Sequence, residues 1–266
     1  MTEPAIVFDK LGFAYNPDHW VLRDYSGIVE RGRIFAILGP NGCGKTTFLE
    51  LLIGALAPGA GTIKAAGQVA FVPQLFPISF PYTVLDMVLM GRARRVGFFS
   101  TPSAADEKAA LEALERLNLV DLAERSFAEL SGGQRQLVIF ARALATQADI
   151  LVLDEPTSAL DLKNQGIILE WIELLSRQAG LTVVFTTHHP HHAYAVADST
   201  LLMLSPAEYL CGPPSVVMTE NHLHTLYGVD LKRICFEHRG QLTETFVPVY
   251  RRKDYQKEAE KLCKRL

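Results

Sequence analysis

The stretch GPNGCGKTT, residues 39–47, is the strongest constraint on what this chain can become. Three glycines fall within six positions, and each loses more conformational freedom on folding than any other residue. A lysine and two threonines follow at once. Gly39, Gly44, Lys45 and Thr46 meet the pattern G-x-x-x-x-G-K-[ST], in which backbone N–H groups cradle phosphate oxygens. A tight turn into a helix, with Lys45 as a solvated charge, is the plain alternative. The flanks decide against it. RIFAIL (33–38) is a short apolar run of the buried-strand kind, and KTTFLELLIGAL (45–56) has helical apolar spacing. Strand, glycine loop and helix together aim N–H groups and a helix dipole at an anion. The loop reads as a nucleotide phosphate site.

Bulk properties narrow the setting. The 266 residues are long enough for a sizeable core, in one domain or two. A net charge of −3 offers no overall basic field to nucleic acid or anionic lipid. Cys43, Cys211, Cys235 and Cys263 are widely spaced, without a C-x-x-C pair or zinc spacing, which points to a reducing, cytosolic compartment. MTEPAIVFDK at the N-terminus has neither the basic head nor the apolar core of a signal peptide. No run of roughly 20 apolar residues is present, so any membrane role is expected to come through a partner.

Strand-like runs occur at 5–8, 33–38, 68–73, 150–153, 182–187 and 200–204. Between Pro73 and Asp149 the pattern turns helical, at 83–92, 104–119 and 132–145. A helical block interrupting a strand-rich chain predicts an α subdomain inserted into an α/β core. The segment 162–178 places Ile167, Ile168, Trp171, Leu174 and Leu175 on one face, as a crossover helix does. Signals weaken after Ser205. The tail at 250–266 is charged, with Tyr255, Ala259, Leu262, Cys263 and Leu266 in one helical stripe; docking against the protein is expected, with a frayed solvated end or a lipid-facing helix as alternatives.

Two further motifs carry chemistry. ILVLDEP (150–156) is an apolar strand ending in two acids, and ligands gather at the carboxyl ends of strands in open α/β sheets. Asp154 is expected to hold the Mg²⁺ of a nucleotide, with the Thr46 hydroxyl as a direct metal ligand. Glu155 would face the attacking water as general base. In LSGGQRQ (130–136), Ser131 and Gln134 form a capping box, which explains those two residues structurally. It does not explain Gly132 and Gly133, poor helix formers where bare N–H groups make a second anion site. So the chain has two phosphate-binding helix ends but one loop lysine.

LSGGQ resembles the signature motif of ABC-type ATPases, and the other pieces stand in that family's order. Gln74 in FVPQ resembles the Q-loop glutamine, SALD (158–161) the D-loop with its Asp161, and His188 in VVFTTHH the switch histidine. Tyr15 in LGFAY resembles the aromatic that stacks on adenine, a place Phe13 also fits. The likeness spans residues 11–189. It implies an α/β fold: a P-loop NTPase core with an antiparallel β subdomain (1–74 and 148–205), an inserted α-helical subdomain (75–147) and a C-terminal extension (206–266). It implies ATP and Mg²⁺. Tyr15, Gly39, Pro40, Asn41, Gly42, Cys43, Gly44, Lys45, Thr46 and Thr47 would contact nucleotide; Thr46, Gln74 and Asp154 would serve the metal; Glu155, His188 and Gln74 would serve catalysis. Two subunits of the family pack head to tail, each ATP lying between one P-loop and the other subunit's signature. Ser131, Gly132, Gly133 and Gln134 would thus serve the partner's nucleotide.

The chain departs from the family at His189, where an acid is frequent, and HHPHH (188–192) also admits a metal cluster through His188, His191 and His192. Pro190 more naturally opens a helix there. Cys43 is expected to be a small packing residue. One cassette without fused membrane segments resembles a separate importer subunit, and PQLFPISFPYTVLDMVLMGR (73–92) resembles those that drive iron-siderophore, haem and vitamin B12 uptake and related molybdate importers. The implied partners are a second copy of the chain, two membrane-spanning permease subunits and, indirectly, an external solute-binding protein, with no nucleic acid. The implied location is the cytoplasmic face of the membrane. A soluble ABC ATPase acting on nucleic acid or ribosomes, and a non-ATPase regulator that keeps the cassette shape, are the competing classes; the acidic balance counts against the first, and Lys45, Glu155 and His188 against the second.

Overall fold

The computed structural model describes residues 3–17, 19–74, 81–93, 95, 101–158, 160–238 and 240–250. The chain begins β1 (Ile6–Asn16), β2 (His19–Val29), β3 (Ile34–Leu38), α1 (Lys45–Leu52), β4 (Ala60–Ala65) and β5 (Val69–Val72). A helical block follows, with α2 (Val84–Leu89), α3 (Ala104–Arg116) and α4 (Gly132–Ala145). Next come β6 (Ile150–Leu153), α5 (Leu162–Arg177), β7 (Thr182–Thr187), α6 (Pro190–Val196) and β8 (Ser199–Ser205). The last described elements are β9 (Glu208–Gly212), α7 (Pro214–Val217), α8 (Glu220–Tyr227), β10 (Asp230–His238) and β11 (Gln241–Val249).

Six strands form the central sheet in the order β5-β6-β7-β3-β8-β9. The first five are parallel and β9 runs antiparallel to β8. Every residue of β3, β6 and β7 is buried, as apolar runs covered on both faces require. Within β3, Ile34, Ala36 and Leu38 face a core shared with the helical block. Phe35 and Ile37 face the opposite core, with α1 and the antiparallel sheet β2-β1-β4. The fold is therefore an α/β P-loop core with an antiparallel β subdomain and an inserted helical subdomain. The expected core boundary at residue 205 falls between β8 and β9, which pair.

Local chemistry sets the helix ends. Capping boxes start α2 at Thr83 and Asp86, α3 at Ser103 and Asp106, and α4 at Ser131 and Gln134. Inside the block the Arg92 guanidinium bonds Asp106 Oδ1 at 3.0 Å and the Ala145 carbonyl at 2.8 Å, tying α3 to the end of α4. Several expected bounds change. The α1 helix stops at Leu52 instead of running to 56, because Gly54 takes φ +75°. The α3 helix stops at Arg116 instead of 119, ahead of Asn118 at φ +55°. The run expected at 5–8 is an eleven-residue strand, bent by register shifts around Lys10 at φ +46°. The expected tail helix and part of the importer-like stretch lie outside the described residues.

Candidate nucleotide site

β3 delivers the chain to the glycine loop, and α1 begins at Lys45 straight after it. Gly44 caps α1 with φ 103°, a conformation L side chains rarely adopt, and a Cβ there would stand 2.5 Å from the Val21 side chain. The Lys45 ammonium is only 6 % exposed. It donates to the carbonyls of Gly39 at 3.0 Å and Pro40 at 3.2 Å, and pairs with Glu155 Oε1 at 3.1 Å. Next to it the Thr46 hydroxyl donates to Asp154 Oδ2 at 2.9 Å. Asp154 Oδ1 accepts from the Thr186 hydroxyl at 2.7 Å, which itself accepts from the Glu155 N–H at 2.8 Å.

The ends of the parallel strands converge on Glu155. Its Oε2 accepts from Gln74 Nε2, at the end of β5, at 3.3 Å, and lies 3.1 Å from His188 Nδ1, beyond β7. Gln74 Nε2 also reaches Ser158 Oγ at 3.2 Å. A cleft of about 520 Å³ opens over these groups, lined by Tyr15, Asn41, Gly42, Lys45, Gln74 and Glu155 among others. Tyr15 is 61 % exposed at its rim, its hydroxyl 3.1 Å from Thr47 Oγ1 and its ring edge-on to Phe13 at 4.9 Å. Cys43 is half-buried, and burial raises its thiol pKa, which makes it a poor nucleophile.

The structure thus brings the loop, Tyr15, Gln74 and Glu155 to one cleft, with Asp154 and His188 bonded to the Thr46 and Glu155 side chains that line it. Ser131, Gly132, Gly133, Gln134 and Asp161 are not among its lining residues. Ser131 Oγ accepts from the Gln134 N–H at 3.3 Å, and Gln134 Oε1 accepts from the Ser131 N–H at 3.0 Å. Asp161 caps α5, accepting from the Asn164 N–H at 2.8 Å. A Cβ on Gly133 would stand 2.5 Å from the Asn164 side chain, so the start of α4 and the start of α5 touch.

The histidine run forms a chain of ring contacts, His188 to His189 at 4.1 Å and His191 to His192 at 4.3 Å. Pro190 opens α6, and among the described residues no group of three or more His, Cys, Asp or Glu side chains is arranged to hold a metal. Sequence reasoning missed Thr186, whose signal was a threonine at the carboxyl end of a buried strand. It also missed the pair Thr157 and His192, bonded across 35 positions with no local pattern.

The donors fit a nucleotide with a hard cation. A buried ammonium surrounded by carbonyl and carboxylate oxygens matches phosphate charge. The Thr46 hydroxyl, the Asp154 carboxylate and the Gln74 amide carbonyl form an all-oxygen set of the kind Mg²⁺ takes.

A P-loop fold with this cleft defines a nucleotide-hydrolysing cassette, and the chain belongs to the ABC transporter family, whose pattern matches residues 22–158. It is 41 % identical over 251 residues to the molybdate import ATP-binding protein MolC of Haemophilus influenzae, covering 93 % of this chain and 97 % of that one. It is 32 % identical to the chelated iron transport system membrane protein YfeB of Yersinia pestis, over 87 % of this chain and 81 % of that one. A solved structure described as a metal-chelate type ABC transporter in an inward-facing conformation is 40 % identical. It superposes with a TM-score of 0.90, over 93 % of this chain and 98 % of that one. The chain is an ATP-binding, ATP-hydrolysing subunit of an ABC importer. Among the described residues no helix is long and apolar enough to cross a membrane.

Proposed function

We propose that Glu155 is the general base of ATP hydrolysis in this subunit, and that the reaction energises uptake of a metal-bearing solute. The convergence of Lys45, Gln74 and His188 on one carboxylate carries this reading. Lys45 offsets the β- and γ-phosphate charge, and its present pairing with Glu155 holds that carboxylate at the phosphate end of the cleft. Glu155 takes a proton from water as it attacks the γ-phosphorus, the bond to the β–γ bridging oxygen breaks, and ADP leaves with phosphate as the other product. His188 and Gln74 orient the carboxylate, and Tyr15 offers an exposed ring at the rim for adenine. Bound Mg²⁺, held through Thr46, Asp154 and Gln74, would screen the phosphate oxygens.

We further propose that two copies pack head to tail, so that Ser131, Gly132, Gly133 and Gln134 of one contact the nucleotide on the loop of the other, with Asp161 at the same seam. The helical block, residues 75–147, acts as the element that moves against the core. A second cleft, about 490 Å³, opens between block and core and is lined by Phe71, Met90, Gly91, Arg95 and Arg142 among others. It suits a cytoplasmic segment of a permease subunit, which would keep the chain peripheral at the inner face of the membrane. The solute is a metal chelate, as named for the similar structure, or molybdate, as named for the relative at 41 % identity. An external binding protein and the permease would select it.

Phosphate release by the purified chain tests the catalytic reading. Wild type is expected to hydrolyse Mg-ATP while Glu155→Gln binds it without turnover; normal turnover in the variant would remove Glu155 as base. Co-purification with its membrane subunits, followed by uptake of labelled chelate or molybdate in vesicles, tests the rest.

A further inference from the structure

Glu155 has φ +44°, a left-handed conformation in a residue with a side chain. Such backbone is strained and persists only where its surroundings over-determine it. On one side β7 does this, through Thr186 and His188. Within the turn, the Glu155 carbonyl accepts from Ser158 N–H at 3.2 Å and Ser158 Oγ at 3.0 Å. The other side rests on Thr157, which is 2 % exposed. Its carbonyl accepts from Gln165 Nε2 at 3.3 Å, and its hydroxyl lies 3.1 Å from His192 Nδ1.

We propose that His192 is a positioning residue for ATP hydrolysis: it accepts the Thr157 hydroxyl, fixes the Glu155–Ser158 turn against α6, and so sets the direction of the Glu155 carboxylate. The inference rests on the reading of Glu155 as base. His192 is 4 % exposed and is not among the residues lining the nucleotide cleft, so it acts through its neighbours: Thr157 by a hydrogen bond, and the His189 ring at 4.8 Å, which in turn meets His188. Burial first, then the neighbouring histidines, push its imidazole down to about 3. The ring is therefore neutral, and in the tautomer with its proton on Nε2 the Nδ1 atom accepts. The helix that carries it starts at Pro190, two residues after His188. The end of β7 and the start of α6 thus bound the base on its two sides. Its far end is held from outside, where the Tyr194 hydroxyl bonds Glu244 and the Tyr194 ring meets Phe246 edge-on at 5.2 Å.

Four variants of the full chain test this. His192→Phe and Thr157→Val remove the acceptor and the donor at similar volume. His192→Asn restores an amide oxygen close to the Nδ1 position, and Thr157→Ser restores the hydroxyl. Both removals are expected to lower kcat about tenfold, since small misplacements of catalytic groups are costly. KM and the affinity for a fluorescent ATP analogue should stay within about twofold. The two removals combined should be no worse than either alone, as for two halves of one contact. Asn and Ser should recover most of the loss. Unchanged kcat in both removals, a matching loss of analogue affinity, or no recovery by Asn and Ser would overturn the proposal. Should His192→Phe fail to fold, the Thr157→Val and Thr157→Ser pair decides alone. If Glu155→Gln retains turnover, the reading of the base itself fails. If it is inactive while His192→Phe and Thr157→Val run at full rate, only the role of His192 fails.

Discussion

Two helices of this chain, α1 and α4, begin at glycines, and their surroundings differ in almost every respect. At α1 the glycine is locked by a positive φ and by Val21, the lysine is buried, and the end of β6 brings two acids to it. At α4 the first turn carries a capping box and Arg135, whose guanidinium turns back to the Ala128 carbonyl, and a Cβ on Gly132 would meet nothing within 4 Å. The N–H groups of Gly132 and Gly133 have no place in the intrahelical ladder. One end sets a buried ammonium and two carboxylates beside its N–H donors. The other offers donors alone, and open space in front of them. A chain with one wired end and one bare end suits a head-to-tail pair, and substitutions at either end test the difference.

The largest expected effect belongs to the wired end. Glu155→Gln should lower the rate about 10²–10⁴-fold with ATP still bound, as loss of a general base does. Single-turnover phosphate release measures it. Lys45→Ala should cost about 10²–10³ in rate through lost charge stabilisation. It should also collapse fluorescent-nucleotide affinity; wild-type affinity would dissolve the contrast between the two ends.

Alanine at the two helix starts separates them by stability. Gly44→Ala should destabilise the fold by about 1–3 kcal/mol, from its left-handed backbone and the close Val21 methyl. Gly132→Ala should leave the melting temperature unchanged or raise stability by up to about 1 kcal/mol, since alanine is the better helix former. It should nevertheless slow turnover of the assembled transporter. A glycine whose loss stabilises the chain and impairs the reaction is kept for a partner; unimpaired turnover would argue for a plain cap.

The smallest effect is a pH slope. Burial pushes His189 to about 4 and His192 to about 3, below the usual 6.5. Below about 6.5 the unfolded chain therefore binds more protons than the folded one, and stability falls as pH drops toward those values. Melting temperature should decline from about pH 7 to 5, and His192→Asn should flatten that decline relative to wild type.

The wired end was largely legible in the chain. Uninterrupted burial of β3, β6 and β7 writes itself as apolar runs, and the loop pattern and the Ser131–Gln134 box are local signals. Other parts were not. Lys10 and Asp24, both at positive φ, and the shifts of register break the alternation of β1 and β2, so only residues 5–8 looked extended. In β10 and β11 apolar residues such as Ile234, Phe236 and Leu242 stand exposed, which erases an inside-outside pattern. Thr186 and the Thr157–His192 bond join segments more than thirty positions apart, and only the folded chain brings them together.

The central claim is that the bare start of α4 completes the nucleotide site of a second copy. Sedimentation of Glu155→Gln with Mg-ATP, compared with the same variant carrying Ser131→Arg, tests it most directly. The first protein should shift to a dimer, because ATP is held and not consumed. The second should bind the fluorescent nucleotide with equal affinity yet remain a monomer, since the arginine fills the space where the partner's phosphate would lie. A dimer that persists with Ser131→Arg, or nucleotide affinity lost in the monomer, would contradict the account.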